Sequence, residues 1–114
     1  MQDSLALEAT PTGFRGTFPV DPLARAVYAE AAGIGRVMPL AVAVPLDADD
    51  VVTLVRWARA TRTPLIPRGS GSSLAGGAIG HGVVVDIGEL RAMGEVDVAA
   101  RSIRVGPGAL GGDV

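Results

Sequence analysis

With 114 residues, a net charge of −2, no cysteine and one histidine, the chain is one domain or part of one, and it leaves no room for disulfides, thiol chemistry or a zinc ligand set. All ten basic residues are arginines scattered along the sequence, so no nucleic-acid partner is expected, and no metal site either. The longest apolar run, Val37 to Leu46, is broken by Pro39 and Pro45 and falls far short of the ~20 residues of a membrane span.

Asp3 and Glu8 stand where a signal peptide would be basic and then apolar, which makes a cytoplasmic location the expectation. Residues 1–20 are expected as a flexible lead-in, since Met1 to Gly13 shows no period, and 21–114 as the organised part. Asp21-Pro22 opens a helix, the aspartate as N-cap and the proline at the first position, with Leu23, Val27 and Tyr28 on its buried face. After Gly33 and Gly35, Ala41 to Val44 is an apolar strand whose lack of alternation predicts burial on both faces.

Asp47 then caps a helix to about Thr61, with Val51, Leu54, Val55 and Ala58 at i, i+3, i+4 and i+7. Asp49 and Asp50 lie at its start and Arg56, Arg59 and Arg62 towards its end, which suits the helix dipole. Trp57 lies beside the apolar stripe and is read as packing. Thr63 to Pro67 and Val83 to Ile87 are short strands, and Val96/Val98 with Ile103/Val105 alternate with polar residues as a hairpin with one wet face. A helix between two strands implies that they run parallel, so the fold class is α+β or α/β with a small sheet and a crossover helix.

Between the strands lies Pro67-Arg68-Gly69-Ser70-Gly71-Ser72-Ser73-Leu74-Ala75-Gly76-Gly77, followed by Ala78. Glycines let backbone N–H groups approach an anion without a Cβ in the way, and the serine hydroxyls add donors, so this segment is the candidate phosphate cradle. A P-loop is excluded because the chain has no lysine. The dinucleotide pattern GxGxxG fails at Leu74 after Gly69 and Gly71, and at Met38 after Gly33 and Gly35. Gly106-Pro107-Gly108-Ala109-Leu110-Gly111 satisfies it formally, but no βαβ unit follows. The elbow GxSxG comes near at Gly71 to Ala75, with His81 and Asp86 as base and orienter, yet a long cradle is unlike a single sharp elbow. The duller readings are that Arg68 balances a carboxylate, the serines form turns, His81 is solvated and Asp86 caps the turn at Gly88.

The loop, together with Gly82-Val83-Val84-Val85-Asp86, resembles the pyrophosphate loop of the FAD-linked oxidases of the vanillyl-alcohol oxidase and p-cresol methylhydroxylase (PCMH) superfamily. Pro39 to Pro45 followed by Asp49-Asp50-Val51 is similar to that family's first strand and helix start, and Arg104 to Ala109 to its flavin-side turn. Phe14-Arg15-Gly16 and Arg25-Ala26-Val27-Tyr28 resemble the D-lactate dehydrogenase and glycolate oxidase branch.

The resemblance implies the α+β N-terminal subdomain of a PCMH-type FAD-binding domain, its second half lying beyond Val114. FAD would be held by Pro67, Arg68, Gly69, Ser70, Gly71, Ser72, Ser73, Leu74, Gly76, Gly77 and Ala78. Members with covalent FAD have histidine where this chain has Ser72, which implies non-covalent FAD. The implied activity is oxidation of a 2-hydroxy acid by hydride transfer to the flavin. Substrate would be bound by a further domain, the electron acceptor stays open, and no catalytic residue is expected here. The alternative is a non-catalytic nucleotide- or anion-binding module built on the same loop.

Overall fold

The computed structural model describes residues 10–114, so the part of the lead-in at 1–9 lies outside the described residues. The elements are α1 (Pro22–Val27), β1 (Ala41–Ala43), α2 (Ala48–Thr61), β2 (Leu65–Arg68), β3 (Val83–Asp86), β4 (Met93–Asp97), β5 (Ser102–Val105) and a closing 3-10 turn (Gly111–Asp113). Strands β1, β3 and β2 form one sheet in that order, with β1 and β2 each parallel to β3. Helix α2 makes the crossover between the outer strands, as the strand–helix–strand order requires. The return from β2 to the central strand is made by the glycine-rich loop alone.

Asp47 caps α2 by accepting the Asp50 N–H at 2.9 Å, and Arg62 ends it in the left-handed region at φ 55°. The buried stripe of α2 is Asp50, Leu54 and Ala58. Val55, expected on that stripe, is half exposed, because the helix meets the sheet along the i, i+4 line through Leu54. Strand β1 is buried throughout, and Val83 and Val84 of the central strand are fully buried, the pattern of a sheet covered on both faces.

Two expectations about the first third are corrected. Leu23 and Val27 of α1 are exposed. The helix has only six residues, too few for an apolar stripe to decide its orientation, and it is fastened instead by Arg25 Nε donating to the Pro39 carbonyl at 2.8 Å. Residues 10–20 are not a loose lead-in. Phe14 and Phe18 belong to the core with Ala41, Ala43, Leu54, Val83 and Val85, Phe18 meets Trp57 edge-on at 5.5 Å, and Thr17 bridges to Val44. The apolar area of two aromatic rings is reason enough for this segment to fold back.

The clamp on that segment is Asp50, whose carboxylate is fully buried. It accepts the N–H of Arg15 and of Leu46, both at 2.9 Å, and faces Arg15 Nε at 3.4 Å. Burial pushes its pKa up, but the two N–H donors and the Arg15 charge outweigh that and hold it below the usual carboxylate range. Arg15 also pairs with Asp47.

Strands β4 and β5 pair antiparallel with an irregularity between Met93 and Val96. The expected single wet face is also corrected: every residue of β4 is exposed, and within β5 only Ile103 is half-buried. Both faces of the hairpin are thus open apart from Ile103. No helix of the described residues is long and apolar enough to cross a membrane.

Candidate functional site

Parallel strands end their shared register at Pro67↔Val85 and Arg68↔Asp86, and both chains leave the sheet there. A cleft of about 720 Å³ opens at that edge. One wall is the loop, through Pro67, Gly69, Ser70, Gly71, Ser72, Ser73, Gly77 and Ala78; the other is Gly88, Arg91 and the turn Pro107 to Leu110. The sheet edge thus aims the loop, as expected for a binding loop on a rigid scaffold.

The loop is held from behind. The Ala32 N–H donates to the Gly71 carbonyl at 2.9 Å, and a Cβ at Gly33 would fall 2.5 Å from the Leu74 carbonyl oxygen. Ser73 Oγ accepts the Gly77 N–H at 3.0 Å, closing a turn inside the loop. Gly71 and Gly76 have φ of 78° and 85°, conformations in which side chains are strained. No backbone N–H from Gly69 to Leu74 finds an acceptor among the described residues, so the loop presents a row of free donors.

Arg68 is placed differently from the other loop residues. Its guanidinium lies 5.2 Å from the Tyr28 ring centroid and donates to the Tyr28 carbonyl at 3.3 Å. It sits beneath Gly71, where a Cβ would fall 2.6 Å from it. The Tyr28 hydroxyl donates to Asp86 Oδ2 at 2.6 Å, and Asp86 Oδ1 accepts the Gly88 N–H at 2.9 Å. The hydrogen bond to Asp86, then burial, raises the Tyr28 pKa to about 12. Tyr28, Arg68 and Asp86 therefore form a bracket that touches both walls, Gly71 on one side and Gly88 on the other.

Of the expected site residues, Arg68, Leu74 and Gly76 do not line the cleft. Arg68 supports it, Leu74 is exposed, and Gly76 shapes the turn. Asp86 does cap Gly88, but its other oxygen is committed to Tyr28, and His81 is exposed, so the elbow assembly with these two is not built. Gly88 and Arg91 were not legible as site residues, because neither belongs to a motif. The turn at Pro107 to Leu110 carries its own signal, the glycine–proline–glycine sequence after a strand. A Cβ at Gly108 would fall 3.0 Å from the Gly88 carbonyl oxygen, so the turn packs backbone to backbone on the second wall.

The donor set suits a diphosphate. It consists of free amides, the Ser70 and Ser72 hydroxyls and open space beside Gly69, where a Cβ would touch nothing within 4 Å. Among the described residues no group of three or more histidines and carboxylates is placed to hold a metal ion.

Residues 39–114 match the FAD binding domain family, and the chain belongs to it; its cofactor is FAD. The chain is 36% identical over 103 residues to D-2-hydroxyglutarate dehydrogenase of Pseudomonas putida KT2440, an alignment covering 87% of this chain and 10% of that protein. Among solved structures, 6-hydroxy-D-nicotine oxidase from Arthrobacter nicotinovorans superposes with a TM-score of 0.74 at 29% identity, over 92% of this chain and 24% of that one. An alkyldihydroxyacetonephosphate synthase superposes at 0.73 and 23% identity, over 98% and 23% of the two chains, a likeness of fold. The chain spans about a tenth of the first relative and about a quarter of the solved structures. The expected PCMH-type α+β subdomain with its parallel sheet is the architecture found.

Proposed function

We propose that this chain is the FAD-binding segment of a flavin-dependent oxidoreductase that oxidises a 2-hydroxy acid, with the FAD diphosphate resting in the cleft. The observation that carries the proposal is the loop from Gly69 to Leu74, held open at a strand end with its amide donors free among the described residues. The likeness to a 2-hydroxy-acid dehydrogenase supports the substrate class. It does not favour D-lactate or glycolate over a longer acid.

Bound FAD supplies the electron sink for the hydride leaving the substrate's α-carbon. This chain's residues bind and orient it: free amides and serines meet the diphosphate, the Tyr28–Arg68–Asp86 bracket fixes the loop's height, and the turn at Pro107 closes the second wall. Neither histidine nor cysteine lines the cleft, which supports non-covalent attachment. Among the described residues no carboxylate lines it either. Removal of the substrate hydroxyl proton is assigned to groups at the substrate, away from the diphosphate cleft. The flavin is reoxidised through another acceptor, and the location is cytoplasmic in this reading.

Titrating FAD into the 114-residue chain should quench flavin fluorescence saturably, and acid precipitation of the complex should release all the flavin. Colour retained in the washed pellet would overturn non-covalent binding. The chain with FAD and a dye acceptor should turn over no 2-hydroxy acid. Substrate-dependent dye reduction would place the catalytic groups here instead.

A further inference from the structure

We infer that Arg91, not the loop's own Arg68, is the cation that takes the charge of the cofactor's diphosphate; the inference rests on the FAD reading above. Among the described residues Arg91 is the one charged residue lining the cleft. A diphosphate bound there would otherwise be met by neutral donors alone, and an arginine–phosphate pair is among the stronger charge-assisted contacts.

Arg68 is occupied. It is stacked on Tyr28, bonded to the Tyr28 carbonyl and covered by Gly71, so turning it into the cleft would dismantle the bracket. Arg91 has no such commitment. Among the described residues its one ionic partner is Glu89 at 3.7 Å, and both side chains are more than half exposed, a pairing of little strength in water.

The backbone around Arg91 is nevertheless fixed. Its N–H donates to the Glu89 carbonyl at 3.0 Å, the Gly108 N–H donates to the Leu90 carbonyl at 2.9 Å, and the Gly106 N–H donates to the Ala92 carbonyl at 2.8 Å. These bonds clamp residues 90–92 to the turn that forms the second wall. A flexible cation is thus mounted on a rigid base at the mouth of the cleft, opposite the loop's free amides. It can swing from Glu89 to a ligand without disturbing the fold.

The test compares the parent chain with Arg91→Gln and Arg91→Lys, titrated with FAD, with riboflavin and with inorganic pyrophosphate as competitor. Arg91→Gln should weaken FAD about tenfold, the size of one charge-assisted contact. Riboflavin, which lacks the diphosphate, should bind it as it binds the parent. Arg91→Lys should recover part of the loss, and pyrophosphate should compete less well against FAD on Arg91→Gln than on the parent. The FAD difference should shrink at high salt. FAD bound equally by parent and Arg91→Gln would overturn the role of Arg91 and leave the FAD reading standing. Failure of the parent to bind FAD would overturn both. Equal weakening of riboflavin and FAD would assign Arg91 to general cleft structure and overturn its diphosphate role.

Discussion

The two walls of the cleft belong to regions built on opposite plans. The region from Phe14 to Ile87 wraps a parallel sheet on both faces and locks its N-terminal strap with a buried carboxylate. The hairpin of β4 and β5 has no buried residue and is joined to the rest by backbone bonds at residues 87–92 and the turn at Gly106 to Gly108. Rigid loop geometry comes from the first region, while the second contributes a turn and a cation. Substitutions on the two sides should accordingly differ in kind: on the sheet side they act through folding or through the loop's shape, and on the hairpin side through local contacts alone.

Asp50→Ala should have the largest effect on stability. It leaves the part-buried N–H groups of Arg15 and Leu46 without an acceptor and frees the strap that carries Phe14 and Phe18. A fully buried donor left unsatisfied costs about 1–3 kcal/mol, and with two part-buried donors and the freed strap together a loss of roughly 2–4 kcal/mol is expected in urea unfolding, a large share of a small domain's stability. The carboxylate's lowered pKa sets the sign with pH: its contribution is full above the usual carboxylate range and is lost as pH falls through the lower native value. The parent should therefore lose more stability than Asp50→Ala on acidification to about pH 3. Equal acid slopes would show that Asp50 is not the clamp.

Gly71→Val comes next, and it separates the loop from the fold. A β-branched residue at φ 78° is strained, and its side chain would displace the Arg68 guanidinium. FAD affinity should fall by about a hundredfold or more while the sheet still unfolds cooperatively, with a stability loss of about 1–3 kcal/mol. Parent-like FAD affinity in this variant would remove the loop from the diphosphate site.

How far the site could be read from sequence follows the same division. Asp47 as a cap, the all-buried β1 and the glycine loop announce themselves within a few residues, so local pattern was enough to place them. Asp50 was legible only as a helix-dipole charge, since its partner Arg15 lies 35 positions away and no period links the two. Arg68 sits inside the motif that made it a phosphate ligand by analogy, yet its direction is set by Tyr28, 40 positions earlier. Arg91 has no motif at all. Its place in the cleft arises when the turn at Gly106 folds back on residues 90–92, a contact that only the tertiary structure specifies.

Tyr28→Phe should act on the bracket between the walls more mildly. It removes the hydroxyl bonded to Asp86 but keeps the ring under Arg68. A several-fold loss of FAD affinity is expected, with riboflavin affinity falling in step because the whole loop shifts. The raised pKa gives a second readout. Protonated Tyr28 is favoured by folding, so its contribution is full below about pH 10 and is lost as pH rises from there towards about 12. The parent should lose stability over that alkaline window more steeply than Tyr28→Phe, and superimposable alkaline profiles would show that the hydroxyl contributes nothing.

Val96→Thr should have the smallest effect and is the sharpest check on the contrast. Val96 pairs with Ile103 across the hairpin and is 65% exposed, so the change trades a methyl for a hydroxyl in water while keeping a β-branched residue in the strand. Within the 114-residue chain the stability change should stay within about 0.5 kcal/mol, and FAD affinity should be unaltered. Deuterium exchange should show the amides of β4 and β5 opening with a lower free energy than those of β3, whose Val83 and Val84 are fully buried. A loss above about 1 kcal/mol on Val96→Thr, or protection in the hairpin equal to that of β3, would mean that the exposed strands are buried in solution against a second surface, and the two walls would then be equally anchored.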